Sequence, residues 1–254
     1  MVKCPKLFVS PQQFSASGLS FSGKDAHYLY RVLRLKSGDQ LEICDGTRDY
    51  LVRLTVCNRK AVQGTVIESR TLETPDGIEI ILAFSTVRPG PVQDILRHGT
   101  ELGVSHFVPI LSLRANRRPQ EKKERWRAVV ASAAAQSRRN TLPEIEMPVT
   151  LDQFIEQEIW RKELRLLLST GPEATPILAV LEALSPQKVV ILAGPEGGMD
   201  PSEEKKAVAA GFQPVSLGQN ILRSETAAVV AAGTIVLWKD WLRFRCSTRA
   251  EGGV

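Results

Sequence analysis

Apolar and polar residues follow two different rhythms along the chain, and the rhythm changes near residue 72. Before that point, apolar residues tend to occupy every second position, as at Leu41 and Ile43 and again within residues 50–56, and turn signals such as Asp45-Gly46 separate the runs. Alternation with a period of two, bounded by Gly, Asp and Asn, is typical of half-buried β-strands. Residues 1–72 are therefore predicted to form a small β domain, with a barrel as the expected form.

After a linker predicted at residues 73–77, short continuous apolar runs alternate with segments of helical periodicity. Continuous runs indicate strands that are buried on both faces, and their alternation with helices predicts a mostly parallel sheet with helices on both sides. Residues 78–254 are therefore predicted to be one α/β domain. The predicted strands are residues 78–87, 106–113, 164–169, 188–193 and 212–217, and the predicted helices include residues 91–102, 121–138, 151–158, 176–184 and 224–241.

Two glycine-containing loops follow the last two of these strands. The first is Gly194-Pro195-Glu196-Gly197-Gly198, and the second begins at Leu217-Gly218 and runs through Ile221-Leu222-Arg223-Ser224-Glu225-Thr226-Ala227. The carboxyl ends of parallel strands meet at one edge of a sheet, where open α/β folds bind ligands. Because glycine allows a close approach of the main chain, we predict a small-molecule site at this edge, although a tight strand-to-helix turn would need the same residues.

The first loop differs from a phosphate-binding loop. The chain contains neither the P-loop sequence nor the Gly-x-Gly-x-x-Gly dinucleotide fingerprint, which argues against a nicotinamide enzyme. Glu196 at the tip of the loop would repel phosphate and suits a cationic or hydroxyl-bearing ligand. After the loop, Asp200, Pro201 and Glu203 have the spacing of a helix cap, and Gly211 is placed to end that helix.

The two loops together resemble the signature of the RsmE-type small-subunit (16S) ribosomal RNA (uracil-N3)-methyltransferases, a family of the SPOUT class. Similar residues also occur at Glu101-Leu102-Gly103-Val104, at Gln136-Ser137-x-Arg139 and in residues 26–34, so the resemblance covers nearly the whole chain. It implies a trefoil-knotted α/β domain, a PUA-like β-barrel domain that binds RNA, and a homodimer. It also implies S-adenosylmethionine as methyl donor and N3 of one uridine, within the assembled small ribosomal subunit, as acceptor.

For that activity, the resemblance implies site residues in the two loops and at the end of the strand predicted at residues 164–169. Arg223 is predicted to stabilise the uracil anion and Glu225 to take the N3 proton, although a carboxylate in the first turn of a helix is also favoured by the helix dipole alone. The residues predicted to hold the cofactor are Leu168, Ser169, Gly194, Pro195, Glu196, Gly197, Gly198, Leu217, Gly218, Ile221, Leu222, Thr226 and Ala227.

Basic residues are concentrated in one part of the chain, although the formal net charge is only +5. Residues 114–139 contain nine Lys or Arg and two Glu. Such a stripe indicates binding to the phosphate backbone of RNA. The alternative is a helix face that is merely exposed to solvent. The residues predicted to contact RNA are Arg31, Arg34, Arg114, Arg117, Arg118, Gln136 and Arg139.

Other features limit the remaining function classes. The four cysteines have neither zinc-site nor disulfide-framework spacing, and the chain has no apolar run long enough to span a membrane and no secretion signal. We therefore expect a cytoplasmic protein without a metal.

Residues 88–94, His98 and Ala135 depart from the family's pattern, which affects target recognition more than cofactor binding. The alternatives are another RNA methyltransferase of the same class, acting on a ribose 2′-O or on a different uridine, and a non-catalytic RNA-binding protein that keeps the fold.

Overall fold

The computed structural model describes residues 4–9, 14–15, 18–72, 77–85, 89–115, 123–160 and 162–251. The chain divides into two compact units. The first unit contains Met1–Pro75 and Ala131–Leu142, and the second contains Asp76–Val130 and Pro143–Val254. The linker predicted at residues 73–77 lies largely outside the described residues and stays a prediction.

The described residues of the first unit form one six-stranded sheet. Its elements are β1 (Lys6–Phe8), β2 (Phe14–Ser15), β3 (Gly18–Ser22), α1 (Gly23–His27), β4 (Gln40–Cys44), β5 (Arg48–Cys57) and β6 (Ala61–Thr71), and α1 continues into a π-helical turn at Tyr28–Val32. The strand order is β1-β4-β5-β6-β3-β2, and every described pairing except β1 with β4 is antiparallel. Within the described pairings, β1 and β2 are the two edges, so the sheet is an open half-barrel rather than a closed ring.

The predicted alternation in the first unit is confirmed at the centre of its sheet. Leu41, Ile43, Val52 and Leu54 are at most 1% exposed. Val56 continues the same alternation in sequence but is 36% exposed. The reason is a register shift after Leu54, because a bulge at this point redirects the residues that follow it.

The second unit contains a sheet of eight strands, and every described strand pairing in it is parallel. The strand order is β10-β8-β7-β13-β11-β14-β12, with β9 beside β8. The predicted parallel sheet is therefore confirmed. The elements are β7 (Glu79–Phe84), α2 (Pro89–Glu101), β8 (His106–Leu111), α3 (Lys123–Gln136), whose last turns belong to the first unit, β9 (Glu144–Ile145), β10 (Val149–Thr150), α4 (Leu151–Ile155), β11 (Leu164–Leu168), β12 (Thr175–Pro176), α5 (Ile177–Leu184), β13 (Lys188–Ala193), α6 (Pro201–Ala209), β14 (Gln213–Ser216) and α7 (Ser224–Glu251).

Both faces of this sheet are covered by helices. On one face, alternate strand residues such as Ile80 and Leu82 pack in a core with α2, α5 and α7. On the other face, their neighbours Ile81 and Ala83 pack in a second core with α4 and α6. Since successive strand residues point to opposite faces, burial on both sides explains why these strands are continuous apolar runs.

Helix α7 is longer than predicted and leaves part of its apolar surface exposed in the single chain. It extends to Glu251 rather than ending at Trp241. Its nearly all-round apolar sequence predicts burial in the core or against a partner, and in the single chain Val230, Leu237, Trp241 and Phe244 are 38–71% exposed. Their spacing of seven, four and three residues places them on one side of the helix. This set of four residues is called the α7 stripe below.

Candidate functional site

A pocket of about 440 Å³ lies at the carboxyl edge of the second unit's sheet. Strands β11, β13 and β14 are neighbours in the sheet, and the segments that follow their last residues form the pocket wall. This volume is within the range of about 300–1,000 Å³ that is usual for small-molecule sites. The lining residues are Leu167, Leu168, Ser169, Thr170, Gly171, Ala193, Gly194, Pro195, Glu196, Gly198, Met199, Glu204, Val215, Leu217, Gly218, Asn220, Ile221, Leu222, Ser224 and Ala227.

The residues predicted to hold a cofactor are brought together here, with two exceptions. Gly197 and Thr226 do not line the pocket, whereas the others do. Gly197 is exposed at the tip of the first loop, and a Cβ atom built on it would meet nothing within 4 Å. Thr226 is exposed in the first turn of α7. Neither residue therefore contributes to the described pocket wall.

The first loop is a tight turn that also forms pocket wall. Gly198 has a φ of +75°, and its N–H donates to the Pro195 carbonyl over 2.9 Å. A Cβ atom on Gly194 would lie 2.8 Å from Cγ of Met199. The two interpretations that the sequence left open, a turn and a ligand-facing loop, thus describe the same segment.

The cap predicted for the helix after this loop is confirmed. The Asp200 carboxylate accepts from the Ser202 N–H over 2.9 Å and from the Ser202 hydroxyl over 2.7 Å. Glu203 completes the capping box, and Gly211 has a φ of +87° just after the helix. The hydrogen bonds from Ser202, and to a smaller extent the charge of Arg114, hold the pKa of the Asp200 carboxyl below its ordinary value.

In the pocket wall, Ser169 was predicted from the sequence, whereas Thr170, Gly171, Glu204 and Ser224 were not. Ser169 donates its hydroxyl to Oε1 of Glu204 over 3.2 Å and accepts from the Gly171 N–H over 3.1 Å. The Ser224 hydroxyl donates to the Gly194 carbonyl over 2.5 Å, which ties the start of α7 to the first loop. Thr170 and Gly171 follow Ser169 after β11 as the glycine loops follow β13 and β14, and this polar turn after a buried strand was the signal available for them.

The two residues predicted to be catalytic flank Ser224 but do not themselves line the pocket. Arg223 is exposed at the end of the second loop. Glu225 is half-buried in the first turn of α7, and its Oε2 atom is buried without a hydrogen-bond partner among the described residues. A buried carboxylate oxygen without a hydrogen-bond partner is energetically unfavourable. This unsatisfied oxygen distinguishes Glu225 from Arg223.

The residues predicted to contact RNA are distributed over both units. Arg31 and Arg34 are exposed in the first unit, where Arg34 has a φ of +56°. Gln136 is exposed at the end of α3, whereas Arg139 is half-buried and burial lowers the pKa of its guanidinium. Arg117 and Arg118 lie outside the described residues.

Arg114 lies in the second unit and contacts the first loop there. Its Nη1 atom donates to the Gly197 carbonyl over 3.4 Å, and its Nε atom lies 3.5 Å from Oδ2 of Asp200. It is nevertheless 45% exposed in its side chain, so the guanidinium is accessible to a further ligand. Arg114 therefore belongs to the surroundings of the pocket as well as to the basic part of the sequence.

No described histidine is among the residues that line this pocket. His98 lies 3.2 Å from Glu101 on α2, and His106, at the start of β8, lies between Glu79 and Glu144 at 3.7 and 3.6 Å. Nowhere in the described part of the chain do three His, Cys, Asp or Glu side chains come together as metal ligands. Among the described helices, none has the length and apolar content needed to cross a membrane.

Two family models identify the class of this protein, the RNA methyltransferases with a PUA domain. The RNA methyltransferase domain family matches residues 74–236, and the RNA methyltransferase PUA domain family matches residues 21–67. The ribosomal RNA small subunit methyltransferase E of Synechocystis sp. is 37% identical over 236 residues, which cover 91% of this chain and 76% of that protein. The protein of the same name from Bacillus subtilis is 28% identical and covers 90% of this chain and 93% of its own length. The chain belongs to the ribosomal RNA small subunit methyltransferase E family.

A solved structure supports the same conclusion at the level of the fold. The crystal structure of ribosomal RNA small subunit methyltransferase E from Neisseria gonorrhoeae bound to S-adenosylmethionine matches with a TM-score of 0.82 and 27% identity. The match covers 94% of this chain and all of the other, 100%. The family resemblance and the expected fold class, a SPOUT-type α/β domain with a PUA-like β domain, are confirmed.

Proposed function

We propose that this protein transfers the methyl group of S-adenosylmethionine to N3 of a uridine in small-subunit ribosomal RNA. Membership of the family supports the reaction class, which is S-adenosylmethionine-dependent methylation of small-subunit ribosomal RNA. The observation that most favours it within this chain is the pocket in which the two family loops converge. The choice of the uracil N3 atom as methyl acceptor rests on the family resemblance of those loops and on the side chains of Arg223 and Glu225, which flank Ser224.

The composition of the pocket suits this cofactor. S-adenosylmethionine carries a positive sulfonium and an ammonium group, and the wall contains the carboxylates of Glu196 and Glu204. Among the described lining residues there is no Lys, Arg or His. Carboxylates without competing cations attract a positive ligand and repel free phosphate. Apolar side chains such as Leu167, Leu217 and Leu222 provide surface for the adenine ring.

Methyl transfer to the uracil requires alignment of the two reactants and removal of the N3 proton. When bound, the cofactor supplies a methyl group whose bond to sulfur breaks as the uracil N3 forms its bond to that carbon. In our proposal the Glu225 carboxylate takes the N3 proton, and the Arg223 guanidinium offsets the negative charge that this leaves on the uracil. The unpartnered buried oxygen of Glu225 supports the first role, since such an atom has unused capacity to accept a proton or a hydrogen bond.

The substrate and the assembly are also part of the proposal. Exposed Arg31 and Arg34 in the first unit, together with Gln136 and Arg139, are suited to phosphate and base contacts. We propose that the target is the assembled small ribosomal subunit in the cytoplasm. The α7 stripe is proposed as the contact between two copies in a homodimer, because it is apolar and exposed in the single chain.

A kinetic comparison of variants tests the proposed chemistry. Glu225→Gln keeps the shape of the side chain but cannot take the proton, so single-turnover methylation of unmodified small subunits should fall by about 10²–10⁴-fold. Affinity for S-adenosylmethionine should stay within about twofold, because neither Glu225 nor Arg223 lines the pocket. Arg223→Ala should behave in the same way, and Glu182→Gln, an exposed carboxylate on α5, is the matched control. A wild-type rate for Glu225→Gln would remove this residue from the reaction.

A further inference from the structure

Glu203 is buried although it lies in the first turn of a surface helix. The residue is only 4% exposed. Its Oε2 atom accepts from the Ser112 hydroxyl over 2.9 Å and from the Asp200 N–H over 3.4 Å, and its Oε1 atom accepts from the Leu113 N–H over 3.0 Å. The side chain thus joins α6 to the segment that follows β8, about ninety residues earlier in the chain.

Helix capping alone does not explain this arrangement. Of the three hydrogen bonds that the Glu203 carboxylate accepts, a capping box requires only the one from the Asp200 N–H. That bond is the longest of the three. Burying a carboxylate is unfavourable unless hydrogen bonds compensate for the lost water. The two shorter bonds go to Ser112, itself 8% exposed, and to Leu113. The burial of Glu203 is therefore linked to holding the segment after β8 rather than to capping. Ser112, Leu113, Asp200 and Glu203 are called the Glu203 network below.

The segment held by this network places Arg114 on the outside of the first loop. Arg114 follows Leu113 directly, and its guanidinium contacts the Gly197 carbonyl and the Asp200 carboxylate. The hydrogen bonds from Ser202 keep the Asp200 carboxyl pKa low, so this partner of Arg114 is charged at neutral pH. The other side of the same loop, at Gly194 and Gly198, is pocket wall.

The neighbouring residue of α6 faces the pocket instead. Glu204 lines the pocket and accepts a hydrogen bond from Ser169 at the end of β11. Two adjacent carboxylates at the start of one short helix therefore have different partners, the pocket in one case and the segment before Arg114 in the other. A ligand that fixes the first loop and α6 from the pocket side also fixes the position of Arg114.

We propose that the Glu203 network couples the pocket to Arg114, so that occupation of the pocket and binding of RNA strengthen one another. This inference rests on the proposed function, because it takes the ligands to be S-adenosylmethionine and ribosomal RNA. Arg114 begins the basic part of the sequence, and its guanidinium is accessible to a phosphate. In this arrangement Glu203 and Ser112 are positioning residues that touch neither ligand. Coupling between two binding sites is reciprocal, so each ligand must raise the affinity of the other by the same factor.

The test measures this factor in both directions with ligands that do not react. The dissociation constant of S-adenosylhomocysteine is measured with and without transcribed small-subunit ribosomal RNA, and that of the RNA with and without S-adenosylhomocysteine. The wild-type protein should show one factor of about 5–150-fold in both directions. In Glu203→Gln and Ser112→Ala the factor should approach one, while the affinity for each ligand alone stays within about threefold.

The controls separate coupling from folding and from the proposed function. Glu182→Gln, which changes an exposed carboxylate outside the network, should keep the wild-type factor. Ser112→Ala removes one hydroxyl and is the milder variant if Glu203→Gln fails to fold. An unchanged factor in Ser112→Ala, or wild-type protein that methylates ribosomal RNA without any coupling, overturns this inference alone. Coupling without methyl transfer to ribosomal RNA would instead contradict the proposed function.

Discussion

Replacing Gly218 by alanine should weaken cofactor binding through the backbone rather than through a steric clash. Gly218 lines the pocket in the second loop and has a φ of +126°, a conformation that residues with a side chain rarely adopt. A Cβ atom at this position would meet nothing within 4 Å. The only penalty is therefore conformational strain, which is about 1–3 kcal/mol for such a residue.

The size of the effect follows if the loop keeps this conformation when the cofactor is bound. The variant loop can relax in the free protein but must take up the strain again in the complex. Because about 1.4 kcal/mol corresponds to a tenfold change, the dissociation constant of S-adenosylmethionine should rise by roughly 5–150-fold. Calorimetric titration measures this constant directly, and thermal unfolding of the same sample shows whether the fold is retained.

Gly197→Ala is the matched control for this experiment. Gly197 lies in the companion loop, has no positive φ, does not line the pocket, and leaves room for a Cβ atom. Its affinity for S-adenosylmethionine should stay within about twofold of wild type, since the substitution introduces neither strain nor a clash. Wild-type affinity in Gly218→Ala, or an equal loss in Gly197→Ala, would refute the assignment of pocket wall that we derive from these loops.

Two further predictions concern the first unit and the assembly. Burial alone would raise the pKa of the Asp49 carboxyl, but hydrogen bonds from Lys6 and Arg70 hold this pKa below its ordinary value. The stability that these bonds provide is present above the ordinary pKa and should be lost as the pH falls through the lowered one. Thermal unfolding against pH measures this, and Asp49→Asn should reduce the acid dependence. On the α7 stripe, Leu237→Glu should shift the sedimentation coefficient from dimer to monomer, whereas Ile159→Glu should not, because Ile159 is similarly exposed, at 63% against 71%, but lies elsewhere. Identical sedimentation of the two variants would exclude the stripe as the contact.

Local signals in the sequence were sufficient for the elements that shape the pocket. The strand predicted at residues 188–193 coincides with β13, because burial on both faces makes the whole strand apolar. The cap at Asp200 and the end of α6 at Gly211 were recognisable because capping depends on residues within one turn of the helix. The glycine loops could then be placed at one sheet edge by the rule for parallel strands.

Features that depend on long-range contacts could not be predicted in this way. The bond from Ser112 to Glu203 joins residues 91 positions apart, and no periodicity in the sequence records it. Ser169 was predicted as a site residue, but its hydrogen bond to Glu204 likewise depends on the pairing of β11 beside β13 and β14. In the first unit, α1 and its π-helical turn bury only Ala26 and Leu29, which is too short a pattern to distinguish a helix from a loop.

Nucleoside mass spectrometry of a methylated substrate tests the central claim most directly. The purified protein would be incubated with isotopically labelled S-adenosylmethionine and unmodified small ribosomal subunits, and the ribosomal RNA would then be digested to nucleosides. The account predicts label in 3-methyluridine, at one uridine of the small-subunit RNA. Label in a ribose-methylated nucleoside would contradict the assignment of the acceptor atom, and label in no nucleoside, despite measured binding of the cofactor, would contradict the choice of substrate.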